Sequence, residues 1–348
     1  MSYTNGLDKP SDYFNTKLYV GDGTTSNAIT GVGFQPDWVW TKNRTNARGH
    51  GLFDSVRGAD KWLQSNNNLA EQLEGEGYGV LSFDTDGFTV GNGTGTNESG
   101  SNMVAWNWLA SNTTASNTDG SITSTVSANT TSGFSIVSYT GTGANATIGH
   151  GLGVAPKMII TKARGTTNNW GTYHESLGNT DAVFLNLTNA TDTASTYWNN
   201  TSPTSSVFSV GSAAGTNPSA TMIAYCFAEK KGFSKFGSYT GNGSTDGTFV
   251  YTGMSPSFVL LKETSNANNW MLFDNKRSSF NLRDDFISPD IADAEYTGNA
   301  NNRLDMLSNG FKIRGTGSAT NRSGSNFIYM AFAESPFTTS TGIPTTAR

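Results

Sequence analysis

The chain has 348 residues, of which 14% are charged, 11% are aromatic and 40 are glycine. A net charge of −5 without any Lys/Arg-rich run argues against nucleic-acid binding, which needs a basic footprint. The single cysteine excludes an intramolecular disulfide, and no apolar run reaches the ~18 residues of a membrane span. The N-terminus lacks the apolar stretch of a secretory leader, so we expect synthesis and folding in a cytoplasm.

In chain order, one pattern occurs three times. The segment P-D-W-V-W-T-K at 36–42 recurs as P-K-M-I-I-T-K at 156–162 and as P-S-F-V-L-L-K at 256–262. Each copy follows a Y-x-G-x-G segment, which starts at Tyr19, Tyr139 and Tyr239. A third landmark follows each lysine, at His50, Trp170 and Trp270. These landmarks keep the same spacing in all three copies, which predicts three homologous units.

The repeat also predicts the division of the chain. A first unit with an N-terminal segment spans 1–111, and a Ser/Thr/Asn-rich segment at 112–131 reads as a flexible linker. A second unit spans 132–229, a third spans 230–337, and 338–348 forms an extended tail. We use first, second and third unit for these ranges throughout.

Each unit consists of short apolar runs of four to seven residues, separated by Gly, Asn, Ser and Thr. Runs of this length are typical of strands and too short for most helices. The fold predicted is all-β, with three tandem β-sandwich repeats of a jelly-roll-like kind. One short helix is predicted, at 68–73.

The two tryptophans of P-D-W-V-W-T-K are predicted to be core residues. Trp38 and Trp40 align with other large apolar side chains in the second and third units, and the residues between them are apolar too. The strand should therefore be buried on both faces. The lysines that end the three copies are predicted to pair with acids on the next strand, namely Asp54, Glu175 and Asp274.

Candidate chemical sites receive little support from the repeat. His50 aligns with tryptophans, and no G-x-S-x-G turn accompanies any histidine. D-T-D-G at 84–87 lacks the further ligands of a calcium loop, so it reads as a turn. The glycines of Y-x-G-x-G are not followed by a nucleotide-binding pattern, and a turn with positive φ explains them. We predict no catalytic, cofactor-binding or metal-binding residue.

Two other tryptophans stand apart from the core pattern. Trp62 and Trp198 align with small or polar residues in at least one other unit, and they lie in Asn/Ser-rich surroundings. They are the candidate surface contacts for a partner or a glycan, with packing under a loop as the alternative.

The landmarks of the first unit resemble a known module. N-G-L-D-K-P-S-D-Y-F-N-T-K-L-Y-V-G-D-G, H-G-L-F-D-S-V-R-G, S-F-D-T-D-G-F-T-V-G and V-A-W-N-W are similar to a repeated module of structural proteins in tailed bacteriophages, many from marine bacteria. The resemblance is strongest over 5–110. It implies a virion component of the tail-fibre or host-attachment type, and it carries no catalytic residue.

The leading hypothesis is a non-enzymatic virion protein, assembled in the host cytoplasm, that forms a tail fibre or appendage contacting the host surface. Other virion proteins and a host surface glycan or receptor are the expected partners, without nucleic acid, membrane insertion or a cofactor. A homo-oligomer, taken as a trimer, is expected. A capsid decoration protein is the alternative, and a glycan-active tailspike-like enzyme is the second alternative.

Overall fold

The structure, a computed structural model, describes residues 6–73 and 77–345 and has an all-β sandwich architecture. In this part of the chain, no helix is long and apolar enough to cross a membrane. The helices are single turns: α1 (Thr94–Asn97), α2 (Ser195–Trp198), α3 (Ser318–Asn321) and the 3-10 turns Pro10–Asp12 and Glu175–Leu177.

Nine strands belong to the first unit: β1 (Phe14–Val20), β2 (Asn27–Thr30), β3 (Trp38–Asn43), β4 (Gly51–Asp54), β5 (Lys61–Trp62), β6 (Gln72–Leu73), β7 (Val80–Asp84), β8 (Gly87–Val90) and β9 (Asn102–Trp108). The predicted helix at 68–73 is wrong, since β6 pairs with β5 there. The preceding Asn-rich stretch forms a turn instead, in which Asn67 accepts a hydrogen bond from the Leu69 N–H.

Ten strands follow up to residue 227: β10 (Ala115–Asn117), β11 (Ser124–Asn129), β12 (Phe134–Thr140), β13 (Ala146–Gly149), β14 (Met158–Ala163), β15 (Gly171–His174), β16 (Asp181–Phe184), β17 (Asp192–Thr193), β18 (Val207–Val210) and β19 (Thr221–Phe227). The third unit contains β20 (Ser234–Thr240), β21 (Phe249–Tyr251), β22 (Met254–Glu263), β23 (Met271–Asp274), β24 (Leu304–Leu307), β25 (Gly310–Ile313) and β26 (Asn326–Pro336).

The same strand order occurs in all three units. Four antiparallel strands lie in the orders β1-β9-β3-β4, β12-β19-β14-β15 and β20-β26-β22-β23. A smaller sheet accompanies each of them, β2-β8-β7, β13-β18 and β21-β25-β24. In every unit the strand from the P-x-x-x-x-x-K segment lies inside the larger sheet, between the closing strand and the strand after it.

The segment 112–131, expected to be a flexible linker, contains β10 and β11. Strand β11 pairs with β12 and extends the large sheet of the second unit by two strands. Val126 and Ala128 lie on one face of β11 and pack on the second unit, whereas on the other face Thr125 is exposed and Ser127 is buried. The composition of the segment concealed this short alternation.

The P-x-x-x-x-x-K strands are buried on both faces, as predicted. On one face, Val39 packs within the sandwich of the first unit, together with Phe53 and Phe88. On the other face lie Trp38 and Trp40, which are at most 1% exposed. The alternation of side chains along a strand thus sends neighbouring residues into two different cores.

The second core is shared by all three units. The outer faces of the three large sheets contribute to one hydrophobic cluster, with members Trp38, Trp40, Trp106, Trp108, Phe134, Met158, Ile160, Tyr225, Phe227, Phe258, Leu260 and Phe332. Trp38 stacks on Tyr225 of the second unit with ring centroids 4.4 Å apart, and Trp108 contacts Phe258 of the third unit at 5.7 Å. Each large apolar side chain buried here stabilises the fold by about 1.5–3 kcal/mol.

The lysines that end the three strands hold the units together. Lys42 donates to the Ala292 carbonyl of the third unit, Lys162 to the Asn68 carbonyl of the first, and Lys262 to the Thr188 carbonyl of the second. The contacts run from first to third, third to second and second to first, so they close a ring. The central core lies inside that ring.

The predicted partners of these lysines are wrong. Asp54 pairs with Arg57, Glu175 with Lys157 and Asp274 with Arg277. The lysines are completely buried, and besides the contacts between units each donates to a carbonyl of its own unit, that of Asn43, Ala163 or Asn268. Burial lowers the pKa of each ammonium group to about 8.

Two of the three boundaries between units contain buried charges. Between the second and first units, Glu71 binds Arg164 at 2.9 Å and Arg57 at 3.1 Å. Between the first and third units, Glu295 likewise binds Arg44 at 2.8 Å and Arg277 at 2.7 Å. We call these the charged boundaries.

The third boundary, between the third and second units, has no buried ion-pair network among the described residues, and its ion pair of Glu229 with Lys235 is partly exposed; we call it the neutral boundary. Thr191 and Thr264 stand where the charged boundaries have Glu71 and Arg164, and the Thr264 carbonyl accepts hydrogen bonds from both the N–H and the hydroxyl of Thr191, each at 3.0 Å. His174 and Leu177 replace the buried aspartate and arginine of the other units. The His174 imidazole bonds to the Tyr329 carbonyl across the boundary at 3.1 Å.

Candidate functional site

An open cleft of about 310 Å³ lies on the first unit. It is bounded by the end of the large sheet, the strand β5, the segment before β7 and the start of α1. Its lining consists of aromatic, small and amide side chains: Phe53, Trp62, Tyr78, Gly79, Asn92, Gly93, Thr94, Gly95 and Thr96. The cleft is therefore mostly apolar, with polar groups at its edge.

Hydrogen bonds fix the walls of the cleft. The Trp62 indole N–H donates to the His50 carbonyl at 3.0 Å, which holds the indole ring in place. The Thr96 hydroxyl donates to the Tyr78 carbonyl at 2.7 Å and ties α1 to the segment before β7. The Tyr78 side chain is 41% exposed at the opening.

One polar atom of the cleft has no partner. Asn92 Oδ1 is buried and accepts no hydrogen bond from the described residues. Leaving a buried acceptor unpaired costs about 1–3 kcal/mol. A ligand hydroxyl that donated to this oxygen would recover that cost.

The equivalent place in the second unit is filled. There the Thr216 hydroxyl donates to the Tyr197 carbonyl at 3.1 Å, as Thr96 does to Tyr78. The residue after Tyr197 is Trp198, whose indole packs edge-on against Tyr173 at 5.6 Å. The residue after Tyr78 is Gly79, and a Cβ there would lie 2.6 Å from Phe53. Glycine therefore stands here in the place of the tryptophan of the second unit, and it allows the Phe53 ring to approach the backbone.

The third unit has a wider and more polar hollow at the corresponding place. Phe286 packs between Phe273, at 6.0 Å, and Tyr296, on which it stacks at 4.8 Å. The hollow measures about 450 Å³ and is lined mainly by Asn, Ser and Thr side chains beside this pair. The three units share a framework and differ most at this position.

Comparison with known proteins places the chain in a family. Residues 9–336 match the model described as Domain of unknown function (DUF7483). The chain belongs to this family. The match runs from the first 3-10 turn to the end of β26, so the DUF7483 region contains the three large sheets and the cleft. No curated protein and no solved structure matches the chain.

The two tryptophans predicted as surface contacts have different positions in this DUF7483 chain. Trp62 lines the cleft and is partly exposed. Trp198 is 1% exposed, and its N–H donates to the Asp181 carbonyl at 3.0 Å. A surface role for Trp198 is therefore wrong, because the side chain fills the interior of the second unit.

Sequence reasoning missed Tyr78 and Asn92. Tyr78 is an isolated aromatic residue within E-G-E-G-Y-G, and Asn92 lies in G-N-G-T-G. Glycines around a lone aromatic or amide residue were the available signal, since they permit close approach to the backbone. Only the fold brings the two segments together.

The three histidines have structural positions. His50 Nδ1 accepts from the Trp40 indole at 2.9 Å, and Nε2 bonds to the Ser288 carbonyl of the third unit at 3.2 Å. His150 Nε2 bonds to the Thr204 carbonyl at 3.1 Å. Burial lowers the pKa of His50, His150 and His174 below the ordinary value, so these imidazoles are neutral at pH 7.

The turn at 84–87 joins β7 to β8, as predicted. The Asp86 carboxylate accepts hydrogen bonds from the N–H groups of Gly31 and Gly33 at 2.9 and 2.7 Å, which lowers its pKa. Within residues 6–73 and 77–345, no group of three or more His, Cys, Asp or Glu side chains could hold a metal ion.

The Y-x-G-x-G segments form turns of the predicted kind. The second glycine has positive φ in every unit, 69° at Gly23, 70° at Gly143 and 69° at Gly243. The tyrosine hydroxyls all donate to the carbonyl of the equivalent threonine, at 2.6 Å from Tyr19, 2.5 Å from Tyr139 and 2.6 Å from Tyr239. These hydrogen bonds connect the large sheet to the single-turn helix in the first and third units and to the turn at Thr216 in the second.

Proposed function

We propose that the chain is a non-enzymatic structural protein of a bacteriophage virion, in a tail fibre or appendage that contacts the host surface. The observation that carries the proposal is the ring of contacts between units around one aromatic core. The large apolar residues and the terminal lysines of the P-x-x-x-x-x-K segments are used in joining the units. A body built in this way holds its outer loops in fixed relative positions.

Fixed loops suit a role in attachment. Several weak contacts made from one rigid body add to a much stronger attachment than any single contact gives. The sequence similarity to tailed-bacteriophage structural proteins supports the same proposal.

Immunogold labelling of intact phage particles with an antibody against the purified chain tests the location. We expect gold on the tail or its appendages. Labelling restricted to the head would replace the attachment role with the alternative below, and unlabelled particles together with labelled free protein would overturn the virion assignment.

The alternative is a capsid decoration protein, which one observation favours. The ring of contacts gives one chain an approximate threefold arrangement, which fits a position surrounded by three copies of a capsid subunit. A stoichiometry of one chain per threefold position, measured on purified heads, would support the decoration role. Absence of the chain from purified heads would exclude the decoration role.

The second alternative, a glycan-active enzyme, has less support. Glycoside hydrolysis generally needs two carboxyl groups on either side of the scissile bond. The described residues that line the cleft include no carboxyl group. Incubation with host envelope polysaccharide should release no new reducing ends, and robust release would establish the enzyme.

Homo-oligomerisation is part of the proposal. Light scattering of the purified chain should give three times its 37.0 kDa mass if fibres assemble as trimers. A mass of one chain would mean that the three units within the chain supply the threefold arrangement alone.

A further inference from the structure

We propose that the cleft on the first unit binds a neutral pyranose ring of a surface glycan. The glycan's source, the host envelope, rests on the function proposed above, whereas the chemistry of binding rests on the cleft alone. Its volume of about 310 Å³ lies at the lower end of the range for ligand sites, which suits one ring of a longer chain.

The aromatic walls suit the apolar face of a sugar ring. A pyranose presents axial C–H groups on one face and hydroxyl groups around its edge. Phe53, Trp62 and Tyr78 line the cleft, and the Trp62 ring is held by its hydrogen bond to the His50 carbonyl. Because the ring is fixed before the ligand arrives, little rotamer freedom is lost on binding.

The polar edge suits the hydroxyl groups. Asn92 Oδ1 is a buried acceptor without a partner among the described residues, so a ligand hydroxyl can donate to it without displacing an existing bond. Gly93 and Gly95 line the same edge and leave room for a ligand to approach the backbone.

The uncharged lining of the cleft, among the described residues, indicates which class of sugar can bind. The described residues that line the cleft are all uncharged, so the site offers no lysine or arginine to a phosphate, sulfate or carboxylate. Burying an unpaired charge is costly. A neutral hexose is therefore the expected ligand, in preference to a sialic acid or a uronic acid.

The second unit shows what the same framework looks like without a cleft. Trp198 occupies the place of Gly79 and packs on Tyr173. Tyr197, the counterpart of Tyr78, packs edge-on against Phe184, with ring centroids 5.7 Å apart. This unit supplies a matched control within the same molecule.

A glycan array probed with the full-length chain tests the proposal. The array carries neutral hexopyranose oligosaccharides, with sialylated and sulfated oligosaccharides as charged comparators. We expect binding to at least one neutral oligosaccharide and none to the charged set. Failure to bind any neutral oligosaccharide, or a preference for the charged set, would overturn the proposal.

Three variants then locate the binding. Trp62→Ala and Tyr78→Ala remove the aromatic walls and should weaken binding at least tenfold. Gly95→Leu should block the cleft without disturbing the backbone, since the one atom near its Cβ is the Gly49 carbonyl oxygen at 3.6 Å.

Tyr197→Ala, the control, should leave affinity unchanged. Variants that unfold, as judged by circular dichroism, are replaced by Trp62→Leu and Tyr78→Leu. Equal affinity in all folded variants would refute the assignment.

The outcome is separable from that of the immunogold experiment. Binding lost in the cleft variants while gold labels the head would retain the glycan site and discard the tail location. Gold on the tail without glycan binding would retain the location and discard the site.

Discussion

The charged boundaries and the neutral boundary both join neighbouring units, but they do so with different side chains. All three have a buried lysine that donates to a carbonyl of the neighbouring unit. All three also have a backbone hydrogen bond between equivalent residues, at 2.8 Å for Glu71, 3.0 Å for Glu295 and 3.0 Å for Thr191. Buried networks of carboxylate and arginine occur in two boundaries, whereas the ion pair found across the third among the described residues, Glu229 with Lys235 at 2.7 Å, is partly exposed. The lysine and backbone contacts are therefore common to the whole ring, and we expect the buried ion pairs to be replaceable by neutral residues.

The largest loss of stability should follow when one member of a buried ion pair at a charged boundary is removed. Arg57→Met leaves the buried carboxylate of Asp54 without its partner, and such a loss costs about 3–5 kcal/mol of unfolding free energy. Urea unfolding of the wild type and the variant measures it. Arg277→Met should cost a similar amount.

Leu177→Met, at the same position of the second unit, is the matched control. A swap between apolar side chains of similar size should cost less than about 1.5 kcal/mol. Equal losses in Arg57→Met and Leu177→Met would contradict the distinction between the two kinds of boundary.

A smaller effect should separate the boundaries by pH. Burial lowers the pKa of His174 from 6.5 to about 4, so between these values the unfolded chain holds a proton that the folded chain lacks. Stability therefore falls as the pH falls through this window, by up to about 3 kcal/mol, since one pKa unit is worth about 1.4 kcal/mol. Urea unfolding at pH 7 and pH 4 should show this loss in the wild type.

His174→Gln should lose less stability over the same window, because it has no proton to take up. The charged boundaries should respond at lower pH. Burial raises the pKa of Glu71 and Asp274, but ion pairs and hydrogen bonds with arginine outweigh it and lower the pKa of both carboxyl groups. Their contribution to the free energy of unfolding is therefore lost only as the pH falls below the ordinary carboxyl range. Parallel curves for wild type and His174→Gln would exclude the neutral boundary as the first to weaken.

The smallest effect should follow when a whole charged boundary is converted to the neutral kind. The variant carries four substitutions, Asp54→His, Arg57→Leu, Glu71→Thr and Arg164→Thr. Because replacing a complete buried ion network with neutral residues is often close to neutral, we expect a change within about 2 kcal/mol in urea unfolding. A greater loss than that of Arg57→Met alone would show that the ion pairs are indispensable.

The class of fold was readable from the sequence, and its assembly was not. Short apolar runs between turn formers predicted the all-β sandwich, which is confirmed. The apolar residues on both sides of Val39 predicted a strand buried on both faces, which is also confirmed. Periodicity reveals that a face is covered but not what covers it. The second face of this strand proved to meet two other units.

The errors have a common physical origin. Lys42 was predicted to pair with Asp54 on the next strand, whereas it donates to the Asn43 carbonyl and to the Ala292 carbonyl of the third unit, 250 residues away. Trp198 was named as a candidate surface contact because of its polar neighbours, with packing under a loop as the alternative, and its side chain turns inward over Tyr173. Composition and local spacing describe a residue's neighbours in sequence. The partners that matter here are neighbours in space.

The candidate site could be predicted from the sequence only in part. Trp62 stood out because its counterparts in the other units differ, and it lines the cleft. Gly79 also lines the cleft, and its difference from the second unit is recognised only when Trp198 is known to occupy the equivalent place. That equivalence follows from the Thr96 and Thr216 hydrogen bonds, which the sequence alone does not display.

The contact of the first unit with the third has a consequence for biosynthesis. Arg44 and Glu295 are 251 residues apart in the chain, so the first unit is complete long before its partner exists. At about 5–20 residues per second, the roughly 230 residues after the first unit take on the order of 10–45 s to synthesise. Until the second unit supplies Tyr225 and Phe227, the face that carries Trp38 and Trp40 has no other unit to pack against. The nascent chain thus exposes an aromatic sheet on the ribosome, and a chaperone that shields such surfaces should raise its yield.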